Sequence, residues 1–543
     1  LNNMRYQHIV LILILIPAIL LACAQRPATG APHTFTPLSA PPTAEPPTPA
    51  PPPTATAVPT PTAVPLPPTP VVDFDDLTPY KRAMLPQFQT DVDQVAARGA
   101  SRYAIEVAIE PSSFSRRDGL KLTGVERIRY TNTKDVSLPE IYFRLYPNLP
   151  GYGGQMQVNT VIVNNRLTPA TLAAQNSALR VPLLSPLPPG HSLDLSLFFT
   201  ATVPTETAAG YNIFSYTNNT AALAGFYPAI AVFDQHGWDT AIPPTYGDAT
   251  YLDTSLYQVK LTVPEPMVVV ASGNLLRTQS NGDGTQTLSL VSGPMRDFYM
   301  ALRPDFQVVS GKVGDVWVNS YFPPQLAGGG AQVLQFAVAA LRVYSQRFGP
   351  YPYAEFDVVA TPTNAGGVEY PGLVVAADRF YDNSNDFLRY IIAHETAHQW
   401  WYGLVGNNQI TEPWLDEALT SYSAAIYWED TAGQAAAQTM IENYFDGPYQ
   451  QAKKYGHDQA VIGPVQDFSG PEYAAIVYGK GPLFFNALRH QLGDAAYFKV
   501  MQTYLARYKY GNVTAADFFK TVQSVSNQDI QPLAQEWLQN PHP

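Results

Sequence analysis

The chain has 543 residues, a formal net charge of −12 and a pI near 5.2, and only 14% of its residues are charged. An acidic chain sparse in Lys and Arg lacks the electrostatic footprint of a nucleic-acid binder, so no nucleic acid is expected among its partners. Its one cysteine, Cys23, excludes an intrachain disulfide and any cluster of thiolates for metal or nucleophilic chemistry.

Near the start, with Met4 as the expected initiator, Arg5 and His8 precede an apolar run from Ile9 to Ala22 that Pro17 interrupts. The run is short for a membrane span and reads as the core of a signal peptide. It ends in Leu20-Leu-Ala-Cys23, which resembles a bacterial lipobox. Residues 1–22 are therefore expected to be a lipoprotein signal peptide, with Cys23 as the lipidation site that anchors the chain to a membrane. A plain secretory signal or an uncleaved anchor is the alternative. Either way the rest of the chain is placed outside the cytoplasm, lipid-anchored at the cell membrane or secreted. Residues 24–70 hold 17 of the 51 prolines, mixed with Thr and Ala. Such a composition cannot bury a core, and residues 23–75 are expected to be the anchor cysteine and a disordered, partly polyproline-II tether.

Residues 76–312 alternate apolar and polar positions at strand spacing. Tyr103–Ile109, Glu126–Tyr130, Leu193–Phe199, Tyr257–Val263 and Met267–Ala271 are the clearest runs, with turn signals such as Asn281-Gly-Asp-Gly between them. Long helical patterns are scarce, and an all-β sandwich or saddle domain is expected. From 313 to 543 the pattern becomes mixed and then mostly helical. Asp315–Tyr321 reads as strand, Leu326-Ala-Gly-Gly-Gly as a break, and Val333–Phe348 as a helix. Val358–Thr361 and Leu373–Ala376 read as short apolar strands. Between them, Gly366 and Gly367 let the backbone approach a ligand closely, and a strand there can align an extended peptide.

The helical pattern from Asp386 to Tyr402, with Asn385 or Asp386 as cap, carries His394-Glu-Thr-Ala-His398. Histidines at i and i+4 leave one face of a helix together and can grip one zinc ion, with Glu395 free beside them as general base. A catalytic zinc needs a third protein ligand and an open position. Glu417, 19 positions after His398, supplies that ligand if a second helix starting near Thr411-Glu-Pro-Trp runs back alongside the first to about Glu429. One zinc ion per chain is expected.

His-Glu-Thr-Ala-His-Gln-Trp-Trp followed by Glu-Pro-Trp-Leu-Asp-Glu-Ala resembles the aminopeptidase N family of zinc metallopeptidases, in the gluzincin group. Ala365-Gly-Gly-Val-Glu-Tyr-Pro is similar to that family's Gly-x-Met-Glu-Asn signature, with Val368 in place of methionine and Tyr370 in place of asparagine. Val477-Tyr-Gly-Lys-Gly is similar to its Tyr-x-Lys-Gly segment. The resemblance implies a thermolysin-like α+β, mostly helical peptidase domain after the β-rich one. It implies that Glu369 binds the free α-amine of a peptide substrate, together with a second acidic or amide residue from the N-terminal domain that the sequence does not locate. It also implies that Tyr478 stabilises the oxyanion of the tetrahedral intermediate, with Tyr473 as the weaker second choice and Lys480 as a loop anchor. The family often adds a large helical domain over the cleft; these 543 residues have no room for one, and a more open cleft is expected.

The leading functional reading is a zinc aminopeptidase that trims oligopeptides with a free N-terminus at the cell surface. A zinc endopeptidase with no strict need for a free amine is the alternative, as is a tethered peptide-binding module with a structural metal. Glu395 and Tyr478 count against the last, since a structural zinc requires neither.

Overall fold

A computed structural model describes residues 72–115, 118–205, 210–381 and 386–541. The expected signal peptide, Cys23, the tether through residue 71 and the candidate cap Asn385 lie outside the described residues.

The β-rich part is built on an eight-stranded sheet. Its strand order by residue is 274–280, 285–291, 256–264, 102–109, 120–131, 192–203, 155–163 and 166–167. All pairings are antiparallel except that between 102–109 and 256–264. Along Leu120–Thr131 alternate residues are buried, as period-2 side chains over one covered face require. Besides a two-stranded ribbon, 233–234/237–238, this part holds two four-stranded sheets, 268–271/300–303/220–223/214–217 and 229–230/138–144/178–187/171–173. The second meets the large sheet through Tyr103, whose hydroxyl accepts from Ile230 N (3.0 Å). The expected strands are all present, most of them longer than their apolar runs. Asn281-Gly-Asp-Gly forms the turn between Asn274–Ser280 and Thr285–Val291.

The second part begins a few residues before the expected boundary, because Gln307–Val313 already belongs to the next sheet. That sheet runs 307–313, 316–322, 355–361, 373–377 and 367–370, with mixed strand directions. Helix α1 (Ala327–Arg347) contacts it. Here the structure corrects the sequence: Leu326-Ala-Gly-Gly-Gly does not break the chain but forms the first turn of α1. A Cβ on Gly330 would stand 2.0 Å from the Phe322 ring, and one on Gly329 would stand 2.2 Å from the Tyr381 carbonyl. The glycines therefore permit close packing of helix on sheet rather than ending the helix. Helices α2 (Asp386–Ala397), α3 (Glu417–Ala432) and α4 (Gly481–Leu492) follow, with further helices, among them Asp494–Tyr508 and Ala515–Ser526, to residue 539. The architecture is a sheet-rich N-terminal part followed by a mostly helical one.

Loop contacts seal the two parts. Arg296 is buried and spends its guanidinium on the carbonyls of Tyr402, Leu252 and Gly511 and on Asn512 Oδ1. Asn212 Nδ2 donates to Pro362 O, and Tyr246 Oη to Phe468 O. The strand-poor stretch between Asp239 and Ser255 is thereby carried from the β-rich part to the helices.

Candidate active site

Helix α2 buries Leu388, Ile391, Ile392 and Ala393 and carries His394 and Glu395 on its last turn. The helix expected to reach Tyr402 ends at Ala397. Beyond it the chain unwinds, with Gly403 N bonding to His398 O (2.8 Å) and Leu404 N to Gln399 O (3.1 Å). Tyr402 takes φ 136°, a conformation uncommon outside glycine. It is held by Arg296 on its carbonyl (2.6 Å) and Asp297 on its hydroxyl (2.5 Å). This wide turn brings the Trp401 carbonyl to 2.9 Å from His398 Nδ1.

Helix α3 begins at Glu417 itself, not near Thr411. Asp416 caps it, its Oδ1 accepting from Glu417 N (3.0 Å). Pro413–Leu415 is a separate 3-10 turn, fixed by Trp414, whose ring lies among Phe484, Phe485, Phe518 and Phe519. Glu412 accepts from Ala515 N and so is committed to the C-terminal helices.

His394 Nε2, His398 Nε2 and Glu417 Oε2 converge, with separations of 3.1 Å between the nitrogens and 3.2 and 3.5 Å from each nitrogen to the carboxylate. Ligands about 2.0–2.1 Å from a tetrahedral metal stand about 3.3–3.4 Å apart, so this triangle has the edge lengths of a zinc site. The outer nitrogens are held as well. His398 Nδ1 meets Trp401 O and Thr420 Oγ1 (3.2 Å), and His394 Nδ1 meets Ser421 Oγ (3.3 Å). A proton on Nδ1 directed to a carbonyl leaves the Nε2 lone pair facing the centre, the tautomer a metal requires. Donor set, spacing and outer partners all fit zinc.

Glu395 lies buried against the strand Gly367–Tyr370. A Cβ on Gly367 would fall 2.3 Å from Glu395 Oε1. The group that approaches the Gly367 backbone is thus the side chain of Glu395, where the sequence had pointed to a ligand. Gly366 rests against Ile391, and its carbonyl accepts from Ala377 N. Gly367–Tyr370 is the edge strand of its sheet.

Glu369 on that strand is buried, and its Oε1 accepts from Gln409 Nε2 (2.7 Å). The same amide nitrogen donates to Asp416 Oδ2 (2.7 Å), so Gln409 ties Glu369 to the cap of α3. Asp248, from the strand-poor stretch of the β-rich part, hydrogen-bonds Glu417. Gly247 before it has φ 70°, a turn that a side chain would strain, and Gly247 N donates to Tyr211 Oη (2.8 Å). Asp248 and Gln409 escaped the sequence reading; Tyr246-Gly-Asp shortly after Pro243-Pro244 and a lone glutamine carry only a weak turn signal.

Tyr478 sits in a π-helical turn, Ile476–Lys480, of the kind frequent at functional sites. Its ring centroid is 5.8 Å from that of His394 and 5.7 Å from that of Tyr473. Lys480 anchors the turn: its Nζ donates to Asp458 Oδ1 (2.8 Å), Gln459 O (2.9 Å) and Asn540 O (2.8 Å), using all three protons.

Electrostatically the centre is starved of positive charge. Glu369, Glu395, Asp416, Glu417 and Asp248 converge, and burial first, then their mutual repulsion, raises Glu369, Glu395, Asp416 and Asp248 above ordinary carboxyl values. Burial opposes ionisation of Glu417 too, but the two histidines and Asp248 hold it well below. Burial disfavours the imidazolium of His398, yet Glu369, Glu417 and Glu395 outweigh it and raise the group well above its usual value. A proton there fills the place of the cation these carboxylates call for. Burial, then the Glu417 charge, keeps the Tyr478 phenol protonated and able to donate.

Residues 333–537 match the peptidase family M1 domain. Among curated proteins, Aminopeptidase 2 of Candida albicans is 23% identical over 303 residues, 53% of this chain and 32% of its own length. Aminopeptidase N of Streptomyces lividans is 25% identical over 206 residues, 35% of this chain and 23% of its own length. The matched part thus spans about a third or less of these relatives. Among solved structures, an M1 zinc metallopeptidase from Deinococcus radiodurans superposes with a TM-score of 0.62 at 19% identity, covering 82% of this chain and 95% of that one. A mutant of that protein bound to a Tyr-Ser-Ala substrate gives 0.60 at 18% identity, with the same coverage. At such identity the likeness establishes the two-part fold.

Proposed function

Given that the chain belongs to the aminopeptidase N family, through its peptidase family M1 domain at residues 333–537, we propose that it is a zinc-dependent aminopeptidase. The observation that carries the reading is the His394–His398–Glu417 triangle with Glu395 beside it and two further carboxylates, Glu369 and Asp248, alongside. A zinc ion held by His394, His398 and Glu417 supplies Lewis-acid polarisation of a carbonyl and a water of lowered pKa.

The chain's own residues do the rest. Glu395 takes the proton of the attacking water and returns one to the departing amine, a role for which burial and neighbouring carboxylates give it a raised proton affinity. Tyr478 donates a hydrogen bond to the oxyanion. A peptide backbone adds to the free side of the edge strand Gly367–Tyr370, and its α-ammonium meets Glu369 and Asp248. Gln409 keeps Glu369 in place. This arrangement supports an aminopeptidase over an endopeptidase, because buried carboxylates without a cation are suited to an ammonium. Leu20-Leu-Ala-Cys23 supports a lipid anchor at Cys23, with the catalytic part working outside the cytoplasm on oligopeptides.

Free and N-acetylated alanyl peptides, each with and without chelator, test the reading. Chelator-sensitive cleavage of the free peptide alone is expected. Cleavage of both at similar rates would replace the aminopeptidase by an endopeptidase.

A further inference from the structure

Beside Glu369 a pocket opens between the edge strand and three loops of the β-rich part. Its volume is about 40 Å³, with Tyr152, Tyr211, Ile213, Val368, Tyr370 and Tyr402 among its walls and Asp248 and Glu369 in its lining. On the aminopeptidase reading, which this inference rests on, these two carboxylates take the α-ammonium. The side chain on the same carbon then has this pocket as its neighbour. We propose that the pocket receives the side chain of the substrate's N-terminal residue and selects small ones, of alanine or serine size, against leucine and the aromatics.

A cavity of roughly 150 Å³ accepts benzene and about 10–15 Å³ holds a water, so 40 Å³ has room for a methyl or hydroxymethyl group but not for a ring.

The walls are also pinned, so widening the pocket breaks existing contacts. Tyr370 stacks on Tyr299 with centroids 4.0 Å apart. Tyr402 is bonded through its hydroxyl to Asp297 and lies under the Arg296 guanidinium. Tyr211 accepts from Gly247 N at its hydroxyl, and at its carbonyl from Asn364 N (3.0 Å) and Thr363 Oγ1 (2.6 Å). Tyr152 hydrogen-bonds Thr250 and packs on Tyr146. Three of these four rings are thus fixed by hydrogen bonds and the fourth by stacking.

Charge adds a second selection. Among the described residues no Lys, Arg or His lines the pocket, and its charged lining groups are the carboxylates Asp248 and Glu369, so an aspartyl or glutamyl N-terminus meets like charge there.

The test is kcat/KM of the full-length, zinc-loaded protein on alanyl, leucyl, phenylalanyl and glutamyl 4-nitroanilides. Alanyl is expected to exceed phenylalanyl by about tenfold or more. Tyr152→Ala, and independently Ile213→Ala, are expected to raise the phenylalanyl-to-alanyl ratio by about fivefold or more. Leucyl or phenylalanyl turnover equal to alanyl in the unaltered protein overturns the inference, even if neither variant folds. Folded variants that leave the ratio unchanged overturn it as well. Absence of turnover on every free aminoacyl amide, with cleavage of blocked peptides, overturns instead the aminopeptidase reading beneath it.

Discussion

Replacing Gly367 by alanine isolates the placement of the general base from metal binding. The added methyl would lie 2.3 Å from Glu395 Oε1, 2.4 Å from its Cδ and 2.5 Å from its Cγ. Ordinary contact lies near 3.5 Å, so the carboxylate must retreat by about 1 Å. Glu395 is buried and cannot swing into solvent. A misplacement of about 1 Å in a catalytic group costs on the order of 10²-fold in rate, or about 2.7 kcal/mol of barrier. Overpacking removes a further ~1–3 kcal/mol from the fold, read as a lower Tm. The atoms of the metal triangle are not among the nearest contacts of this methyl, so zinc content should stay near one per chain. The assay is kcat on an alanyl 4-nitroanilide beside zinc content and a thermal melt of the same sample. A Gly367→Ala protein that melts cooperatively and turns over within about twofold of the original would refute the reasoning, since the methyl and the base cannot share that volume.

Glu395→Gln keeps the shape and removes the base, so turnover should fall by about 10²–10⁴-fold with zinc still bound, checked by metal analysis. Glu417→Ala should lower zinc affinity by more than the roughly 10–100-fold that loss of an outer partner such as Thr420 would cost, measured by chelator competition. Glu369→Ala and Asp248→Asn should each raise KM for free peptides and reduce the preference over N-acetylated ones; an unchanged preference in both would remove them from amine binding. Glu126 is fully buried in the β-rich part, neither of its oxygens has a partner among the described residues, and burial raises its carboxyl well above the usual range. With the folded value above the unfolded one, the unfolded chain loses its proton first as pH rises, so the penalty grows from about pH 4.5 upward. Glu126→Met should therefore stabilise the protein by about 1–3 kcal/mol at pH 7 and by less at pH 4.5, seen in denaturant melts at the two pH values.

The metal triangle was legible because its ligands are spaced by local geometry: one helical turn sets His394 and His398, and a returning helix sets Glu417. Strands in the β-rich part were legible for the same kind of reason, a period of two over a covered face. What escaped was set by packing between distant segments. Gly328 to Gly330 read as a break by composition, yet they lie in a helix that Gly329 and Gly330 let approach Tyr381 and Phe322 closely. The end of α2 at Ala397 follows from Arg296 capturing Tyr402 O, a partner 106 residues away. Asp248 and Gln409 reach the site across large sequence distances and belong to no local pattern. Gly367 was singled out for a close approach, but its partner is Glu395 from the neighbouring helix, which spacing alone does not reveal.

The central claim is a single metal shared by His394, His398 and Glu417. Anomalous scattering from crystals of the purified protein, recorded on both sides of the zinc absorption edge, tests it directly. One peak per chain is predicted, about 2.0–2.2 Å from His394 Nε2, His398 Nε2 and a Glu417 carboxylate oxygen. A zinc-replete crystal with its peak elsewhere, or with Glu417 turned away from the ion, would contradict the account.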